Sequence, residues 1–131
     1  MRRLPLLTVA VMLLVLAGCQ KLNYEKETTL DAKTDFREFT FEPPSGDQKI
    51  SVKASSDTPV NVWLVLEDDK DQTSSEILTG KKPAKALGGD ANAKEIDFEV
   101  TVPAKKGFVV FIGRGKGPST DAKVKLNVKG R

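Results

Sequence analysis

Most of the chain after residue 26 consists of short runs in which apolar and polar residues alternate. The clearest run places apolar residues at every second position, as Ile96, Phe98, Val100 and Val102. The same period of two occurs in residues 50–54 and 124–128. Successive side chains of a strand point to opposite faces, so this period predicts strands with one face in a core and one in water.

Two further runs are apolar on both faces. In VNVWLVLE, residues 60–67, Trp63 and Val65 alternate with other apolar residues, and in GFVVFIG, residues 107–113, Val109 and Phe111 do the same. Such runs are typical of central strands that are covered on both sides. The sequence therefore predicts two central strands whose second face is either covered by another segment or exposed.

Turn residues separate the apolar runs. Proline and glycine, which favour chain reversal, occur in PPSGD, SSDTP, PAKKG and GRGKGPST, at residues 43–47, 55–59, 103–107 and 113–120. Two shorter strands are also expected. One contains Phe39 and Phe41, and the other spans residues 28–30 and is followed by a turn at residues 31–34. Short strands between turns predict an all-β fold, a single antiparallel, jelly-roll-like β-sandwich of about seven strands.

The connection formed by residues 67–94 is long for a compact domain. Within it, TSSE at residues 73–76 matches a capping box and predicts one helical turn leading to Ile77 and Leu78 and ended by Gly80. Leu87 is the other apolar residue available to pack. We expect this connection to be the segment that covers the second face of the central strands.

The first residues have a different pattern. Arg2 and Arg3 precede an apolar run that ends at Leu16, which indicates a signal peptide. The run is too short for a transmembrane helix, which needs about 20 apolar residues. We therefore assign residues 1–18 to a cleaved signal peptide, 19–26 to the lipidated N-terminus and a polar tether, and 27–131 to the sandwich domain.

The sequence LAGC at residues 16–19 contains the only cysteine of the chain. It resembles the lipobox of bacterial lipoproteins, which implies acylation of Cys19 and cleavage directly before it. Two or three acyl chains at ~0.8 kcal/mol per buried methylene make a stable membrane anchor. With Gln20 after the cysteine in place of aspartate, the chain resembles the lipoproteins that double-membraned bacteria sort to the outer membrane. The implied location is the bacterial cell envelope, with the outer membrane favoured where two membranes exist.

Composition and charge exclude several classes of function. Of the 21 basic residues, 19 remain without Arg2 and Arg3, and they exceed the 18 acidic residues by a single charge. The two signs are interspersed, which argues against nucleic acid as a partner. The absence of histidine excludes histidine-dependent triads and histidine zinc sites. We expect a protein that is not an enzyme; catalysis by carboxylates alone is the remaining enzymatic alternative.

Three carboxylates near the start of the long connection, Asp68, Asp69 and Asp71, are candidate calcium ligands. Calcium takes six to eight oxygen ligands, and closely spaced acidic residues supply part of such a shell. The spacing does not match an EF-hand loop, and Lys70 lies among the carboxylates. The alternative is a solvated loop, and no other cofactor is predicted.

Two basic motifs follow. Lys81, Lys82 and Lys85 in GKKPAK are suited to contact anionic lipid or a polymer, since basic residues near a membrane surface contribute about 1 kcal/mol each. The alternative is again a solvated loop. GRGKG, residues 113–117, superficially suggests a phosphate-binding glycine loop. It matches neither the P-loop nor the dinucleotide pattern, and we interpret it as a turn.

The second face of the central strands is a candidate interaction surface. Trp63, Val65, Val109 and Phe111 form an apolar patch for a partner if the two strands are neighbours, and tryptophan is enriched at binding hot spots. The alternative is that these side chains pack beneath the long connection.

The order of features across the domain carries a second resemblance. The features that carry it are, in order, FTF at residues 39–41, a glycine-containing turn, KISVKASSDTPVNVWLVLED and PAKKGFVVFIGRG. With these features, the domain resembles the bacterial pre-peptidase C-terminal and GOLD-like β-sandwich domains. The resemblance implies a non-catalytic accessory or binding module. We therefore expect a lipid-anchored structural or protein-interaction module with an unidentified envelope protein or polymer as partner; the alternative is a module that binds calcium or carbohydrate.

Overall fold

The computed structural model describes residues 22–31, 36–116 and 121–130, so the predicted signal peptide and the acylation site at Cys19 lie outside the described residues. The strands are β1 (Asn23–Leu30), β2 (Phe36–Phe41), β3 (Gln48–Leu66), β4 (Gly88–Val102), β5 (Phe108–Arg114) and β6 (Ala122–Gly130). A 3-10 turn (Glu67–Asp69) and helix α1 (Lys70–Leu78) connect β3 to β4. No helix in these ranges is long and apolar enough to span a membrane.

All pairings in the sheet are antiparallel, and β3 takes part in both layers of the fold. Its first half, residues 50–56, pairs with β6, and its second half, residues 60–66, pairs with β5. Strand β4 pairs with both halves of β3, while β1 extends the sheet beyond β6 and β2 extends it beyond β5. The result is one layer of β1, β6, β3 and β4 and a second layer of β2, β5, β3 and β4.

The bend between the layers lies in the middle of β3. Its pairing with β4 shifts register between Ser55 and Val60 and again before Val62. Pro59 has no backbone N–H to donate to a ladder, and irregular pairing of this kind bends a strand. The prediction of a turn at residues 55–59 is therefore wrong, because this segment bends one long strand instead of separating two.

The main core lies between the two layers. Alternate residues of β3, β5 and β6 fill it, and Ile50, Val62, Val110 and Val128 are all completely buried. The edge strands also meet across the core, since the ring of Tyr24 on β1 lies edge-on to that of Phe41 on β2, with centroids 5.2 Å apart. The prediction of a single antiparallel β-sandwich is confirmed.

The connection after β3 is more ordered than the sequence predicts. Helix α1 begins at Lys70, ahead of the TSSE motif, and Thr73 is buried within the helix instead of capping it. The helix ends at Leu78, and Gly80, which has a φ of +76°, terminates it as expected. Strand β4 begins at Gly88, which shortens the predicted connection.

One boundary and two packing expectations also differ. Strand β1 begins at Asn23, which pairs with Lys129, so the sandwich starts inside the predicted tether. Ile77 packs against the second face of the central strands as expected, whereas Leu78 and Leu87 are 66% and 41% exposed.

Candidate functional site

The structure brings the four residues of the predicted apolar patch together. Trp63 pairs with Phe111 and Val65 pairs with Val109 on the neighbouring strands β3 and β5. Only 8% of Trp63 is exposed and the other three are fully buried, because Ile77, Ala86 and Phe36 pack against them. The four side chains thus form a second small core beneath α1 and not an exposed patch.

The acidic residues proposed as calcium ligands point to separate partners. Asp68 accepts a hydrogen bond from Lys106 Nζ at 2.8 Å, and Asp69 Oδ1 lies 3.7 Å from Lys85 Nζ, while Asp71 is exposed in the first turn of α1. The hydrogen bond from Lys106 to Asp68, together with the negative charge of that carboxylate, raises the pKa of Lys106.

Within residues 22–31, 36–116 and 121–130, no three acidic or cysteine side chains come together as metal ligands. The geometry therefore does not support the predicted site at Asp68, Asp69 and Asp71, because two of the three carboxylates already face lysine side chains. Lys85, the third lysine of the GKKPAK motif, therefore faces Asp69.

A basic cleft lies on the outer face of the β2, β5 and β3 layer, beside the C-terminal end of α1. Its volume is about 650 Å³. The cationic side chains of its lining are Lys81, Lys82, Arg114 and Lys116, and aromatic side chains are contributed by Phe36 and Trp63. No aspartate or glutamate lines this cleft among the described residues. We refer to this feature as the basic cleft.

The end of α1 places Lys81 and Lys82 at the cleft. Gly80 N–H donates to the carbonyl of Ile77 at 3.0 Å, and Lys81 N–H donates to the carbonyl of Glu76 at 2.8 Å. These two bonds, with glycine in the left-handed conformation, are the Schellman arrangement that ends a helix. Lysines directly after a helix are also favoured by the negative end of its dipole.

Two asparagine side chains hold the opposite side of the cleft. Asn61 Oδ1 accepts from Asn92 N–H at 2.8 Å, and Asn61 Nδ2 donates to the carbonyl of Arg114 at 3.3 Å. Asn92 Oδ1 in turn accepts from Lys116 N–H at 2.8 Å. Asn92 has a φ of 54°, a left-handed conformation that asparagine tolerates better than most residues. The segment that carries Arg114 and Lys116 is thus fixed to both β3 and β4.

Lys82 and Trp63 connect the cationic and aromatic parts of the cleft. Lys82 Nζ lies 5.9 Å from the centroid of the Trp63 ring, within the range of a cation–π interaction. Phe36 lies against Phe111, with ring centroids 5.9 Å apart, so the aromatic part of the cleft continues the second core. The cleft has an apolar floor and a positively charged rim.

The charge of the lining determines what the cleft can bind. Clustered cations in a concave surface raise the local concentration of anions. Lysine and arginine also supply several N–H donors each for phosphate or carboxylate oxygens. The arrangement therefore supplies charge and hydrogen-bond donors for a negatively charged ligand.

A larger groove on the outer face of the other layer lacks this excess of positive charge. Its volume is about 810 Å³, and lysines and carboxylates alternate across it on β1, β3, β4 and β6. Lys125 Nζ lies 3.9 Å from Glu27 Oε1, and Asn127 donates to Glu25 at 3.3 Å. Because the opposite charges face one another, we consider the basic cleft the better candidate site.

The combination of residues that forms the cleft was not predicted from the sequence. Lys81 and Lys82 belong to one basic motif and Arg114 and Lys116 to another, and neither Asn61 nor Asn92 was among the predicted site residues. One signal was available for Asn61, a polar residue within the otherwise apolar run VNVWLVL. Nothing local in the sequence indicates that the two basic motifs meet.

No protein-family model matches the sequence, and a search of curated proteins finds no match. Among solved structures, the chain is similar to the pre-peptidase C-terminal domain of collagenase from Bacillus anthracis, with a TM-score of 0.59 and 14% identity over 82% of this chain and 89% of that chain. It is also similar to the Yersinia pseudotuberculosis-derived mitogen, with a TM-score of 0.50 and 8% identity over 83% of this chain and 86% of that chain.

A weaker likeness links the chain to carbohydrate-binding module CBM36 in complex with calcium and xylotriose. The TM-score is 0.41 at 14% identity, over 86% of this chain and 99% of that chain, too low to support an argument about the ligand. At these identities the comparisons show a shared fold and no shared site. They confirm the resemblance to pre-peptidase C-terminal β-sandwich domains at the level of the fold.

Proposed function

We propose that this protein is a non-catalytic binding module of the bacterial cell envelope, anchored by acylated Cys19, that binds an anionic ligand in the basic cleft. The observation that carries the proposal is the convergence of Lys81, Lys82, Arg114 and Lys116 around an aromatic floor without a carboxylate in the described lining.

Binding is favoured over catalysis by the kinds of side chain in the cleft. The lining has no carboxylate, cysteine or histidine among the described residues, and these are the commonest acid–base and nucleophilic groups of enzymes. Its cations and amides suit recognition of charge. The fold shared with a pre-peptidase C-terminal domain supports the same conclusion.

Anchoring is supported by the sequence LAGC and by where the sandwich begins. The first described residue is Leu22, and β1 starts at Asn23, so the domain follows Cys19 almost directly. Mass spectrometry of the protein purified from envelope membranes tests this part. The expected species starts at Cys19 and carries a diacylglycerol, and a Cys19→Ala variant should lack it. A wild-type chain cleaved without lipid would contradict anchoring.

Calorimetric titration with inorganic tripolyphosphate tests the ligand class. A chain that starts at Gln20 is suitable because every described strand lies between Asn23 and Gly130. The cleft variant replaces Lys81, Lys82 and Lys116 with glutamine. Its matched control, the β6 variant, replaces Lys123, Lys125 and Lys129 with glutamine. These lysines are exposed, and their replacement removes the same amount of charge from another surface.

We expect the wild-type chain and the β6 variant to bind tripolyphosphate with similar affinity. The cleft variant should bind at least about tenfold more weakly, a difference of about 1.4 kcal/mol. Equal weakening in both variants would show that only the overall charge matters. That result, or no binding by the wild-type chain, would contradict the proposed site.

A further inference from the structure

We infer that the ligand of the basic cleft is an extended polymer with closely spaced phosphate or carboxylate groups, and that the cleft meets it on the side of the domain away from the anchoring membrane. This inference rests on the proposed function, because it assumes both an anionic ligand and an anchor at Cys19.

The exposure of the lysines indicates that the ligand carries several charges. Lys81, Lys82 and Lys116 are exposed, and an exposed ion pair contributes only about 0.2–1 kcal/mol. A ligand with one anionic group would therefore bind weakly. A polymer whose linked groups reach both the Lys81 side and the Lys116 side gains affinity, because each further contact is intramolecular.

The strand order places the cleft far from the point where the chain enters the domain. The contact of Tyr24 with Phe41 shows that the start of β1 and the end of β2 lie at the same end of the sandwich, which we call the tether end. Phe36, at the other end of β2, pairs with Gly113 and lines the cleft. Phe36 and Phe41 are five residue steps apart along β2, which separates the two ends by about 17 Å at 3.3 Å per residue.

The short connection to Cys19 holds the tether end close to the membrane. Even fully extended, the residues between Cys19 and Leu22 span only about 10 Å. The attraction of anionic lipids for basic residues decays within about 8 Å at physiological ionic strength. A cleft about one strand length away is outside that range, so contact of Lys81 and Lys82 with the anchoring membrane is disfavoured.

The tether end has its own features that suit a membrane surface. An opening of about 330 Å³ lies between β1 and β2 and is lined by Leu22, Tyr24, Phe39, Phe41 and Phe108, together with a few polar residues. Phe41 and Phe108 are buried, whereas Leu22, Tyr24 and Phe39 are half-buried, and tyrosine is favoured at the boundary between lipid and water. This end therefore fits the membrane-facing side, and the basic cleft fits the opposite side.

Recruitment of polymers to vesicles tests both parts of the inference. A chain that starts at Cys19 is coupled through this thiol, the only one in the sequence, to a maleimide lipid. The vesicles consist of phosphatidylcholine with or without phosphatidylglycerol. Co-sedimentation of labelled polyphosphate and polygalacturonate is measured at physiological salt, with the cleft variant and the β6 variant coupled in parallel.

We expect wild-type vesicles to recruit at least one polymer about tenfold better than vesicles with the cleft variant, with similar recruitment in both lipid mixtures. The polymer recruited identifies whether phosphate or carboxylate is preferred. Loss of recruitment on anionic vesicles alone would show that the cleft rests on its own membrane and would overturn the orientation.

The remaining outcomes separate this inference from the proposed function. If the soluble protein binds tripolyphosphate through the cleft but neither polymer is recruited to either vesicle, the inference of a polymer ligand is overturned. The proposed binding of anions in the cleft is then still supported. If the cleft variant recruits polymer as well as the wild-type chain does, the cleft is not the polymer site, and the inference is overturned.

Discussion

Asn61 on β3 accepts a hydrogen bond from the backbone N–H of Asn92 on β4, with 2.8 Å between Oδ1 and nitrogen. The other atom of the same amide, Nδ2, donates to the carbonyl of Arg114 on β5. One side chain thus ties together three strands at the edge of the basic cleft. The cleft is therefore shaped before a ligand arrives, which reduces the entropy that binding must overcome.

Replacing Asn61 with alanine tests this positioning role. We expect Asn61→Ala to lower the free energy of unfolding by about 1–2 kcal/mol, because two hydrogen bonds are lost. Tripolyphosphate binding should weaken about threefold or more while the far-ultraviolet circular dichroism stays unchanged. The matched control is Asn127→Ala, whose amide bonds to Glu25 on the other layer and should leave binding unaffected. Normal binding by Asn61→Ala would contradict the role.

Gly89 is a position where the fold requires glycine. Its φ is +147°, and a Cβ there would overlap the carbonyl oxygen of Val62 and the ring of Trp63. We expect Gly89→Ala to lower the free energy of unfolding by about 2–3 kcal/mol in urea denaturation. Gly46→Ala is the control, since open space surrounds it, and should change stability by less than about 1 kcal/mol. Equal effects would show that β4 does not approach Trp63 this closely.

Thr73 offers a stabilising substitution. Its side chain is fully buried in α1, and Oγ1 has no hydrogen-bond partner among the described residues. Valine has the same shape without the hydroxyl, so Thr73→Val should raise the free energy of unfolding by about 1 kcal/mol. Thr79→Val should be neutral or destabilising, because the exposed Thr79 hydroxyl donates to the carbonyl of Ser75. A lower melting temperature for Thr73→Val would show that its hydroxyl is satisfied.

The packing of α1 over Trp63 can be followed by fluorescence, since this is the only tryptophan. We expect blue-shifted emission that iodide quenches poorly. Ile77→Ala should increase quenching and lower the free energy of unfolding by about 1–2 kcal/mol, because Ile77 is a half-buried part of the cover. Leu78→Ala, at a position 66% exposed, should change neither quantity. Strong quenching of the wild-type protein would contradict the burial of Trp63.

The strands were predictable where a local pattern determines burial. Alternation at Ile96, Phe98, Val100 and Val102 lies within β4, and the two doubly apolar runs lie within β3 and β5. The local pattern did not determine whether an interruption of the alternation, such as residues 55–59, reverses the chain or only bends a strand. Pro59 and its neighbours resemble a turn, but β4 pairs on both sides of them and keeps β3 continuous.

The cleft was less predictable because its residues come from distant parts of the sequence. Lys82 and Arg114 line the same cleft because α1 packs over the layer that contains β5. The identity of the covering segment was predicted, since residues 67–94 were the only long connection next to a doubly apolar strand. The hydrogen bonds of Asn61 depend on register between three strands, which the sequence alone does not specify.

Amide chemical-shift mapping with tripolyphosphate tests the central claim most directly, because it locates the ligand without a substitution. The account predicts that the largest changes in a nitrogen–proton correlation spectrum occur at residues 80–82, 92 and 113–116. Changes concentrated instead on the outer face of the other layer, around Lys53 and Lys125, would contradict the basic cleft as the binding site.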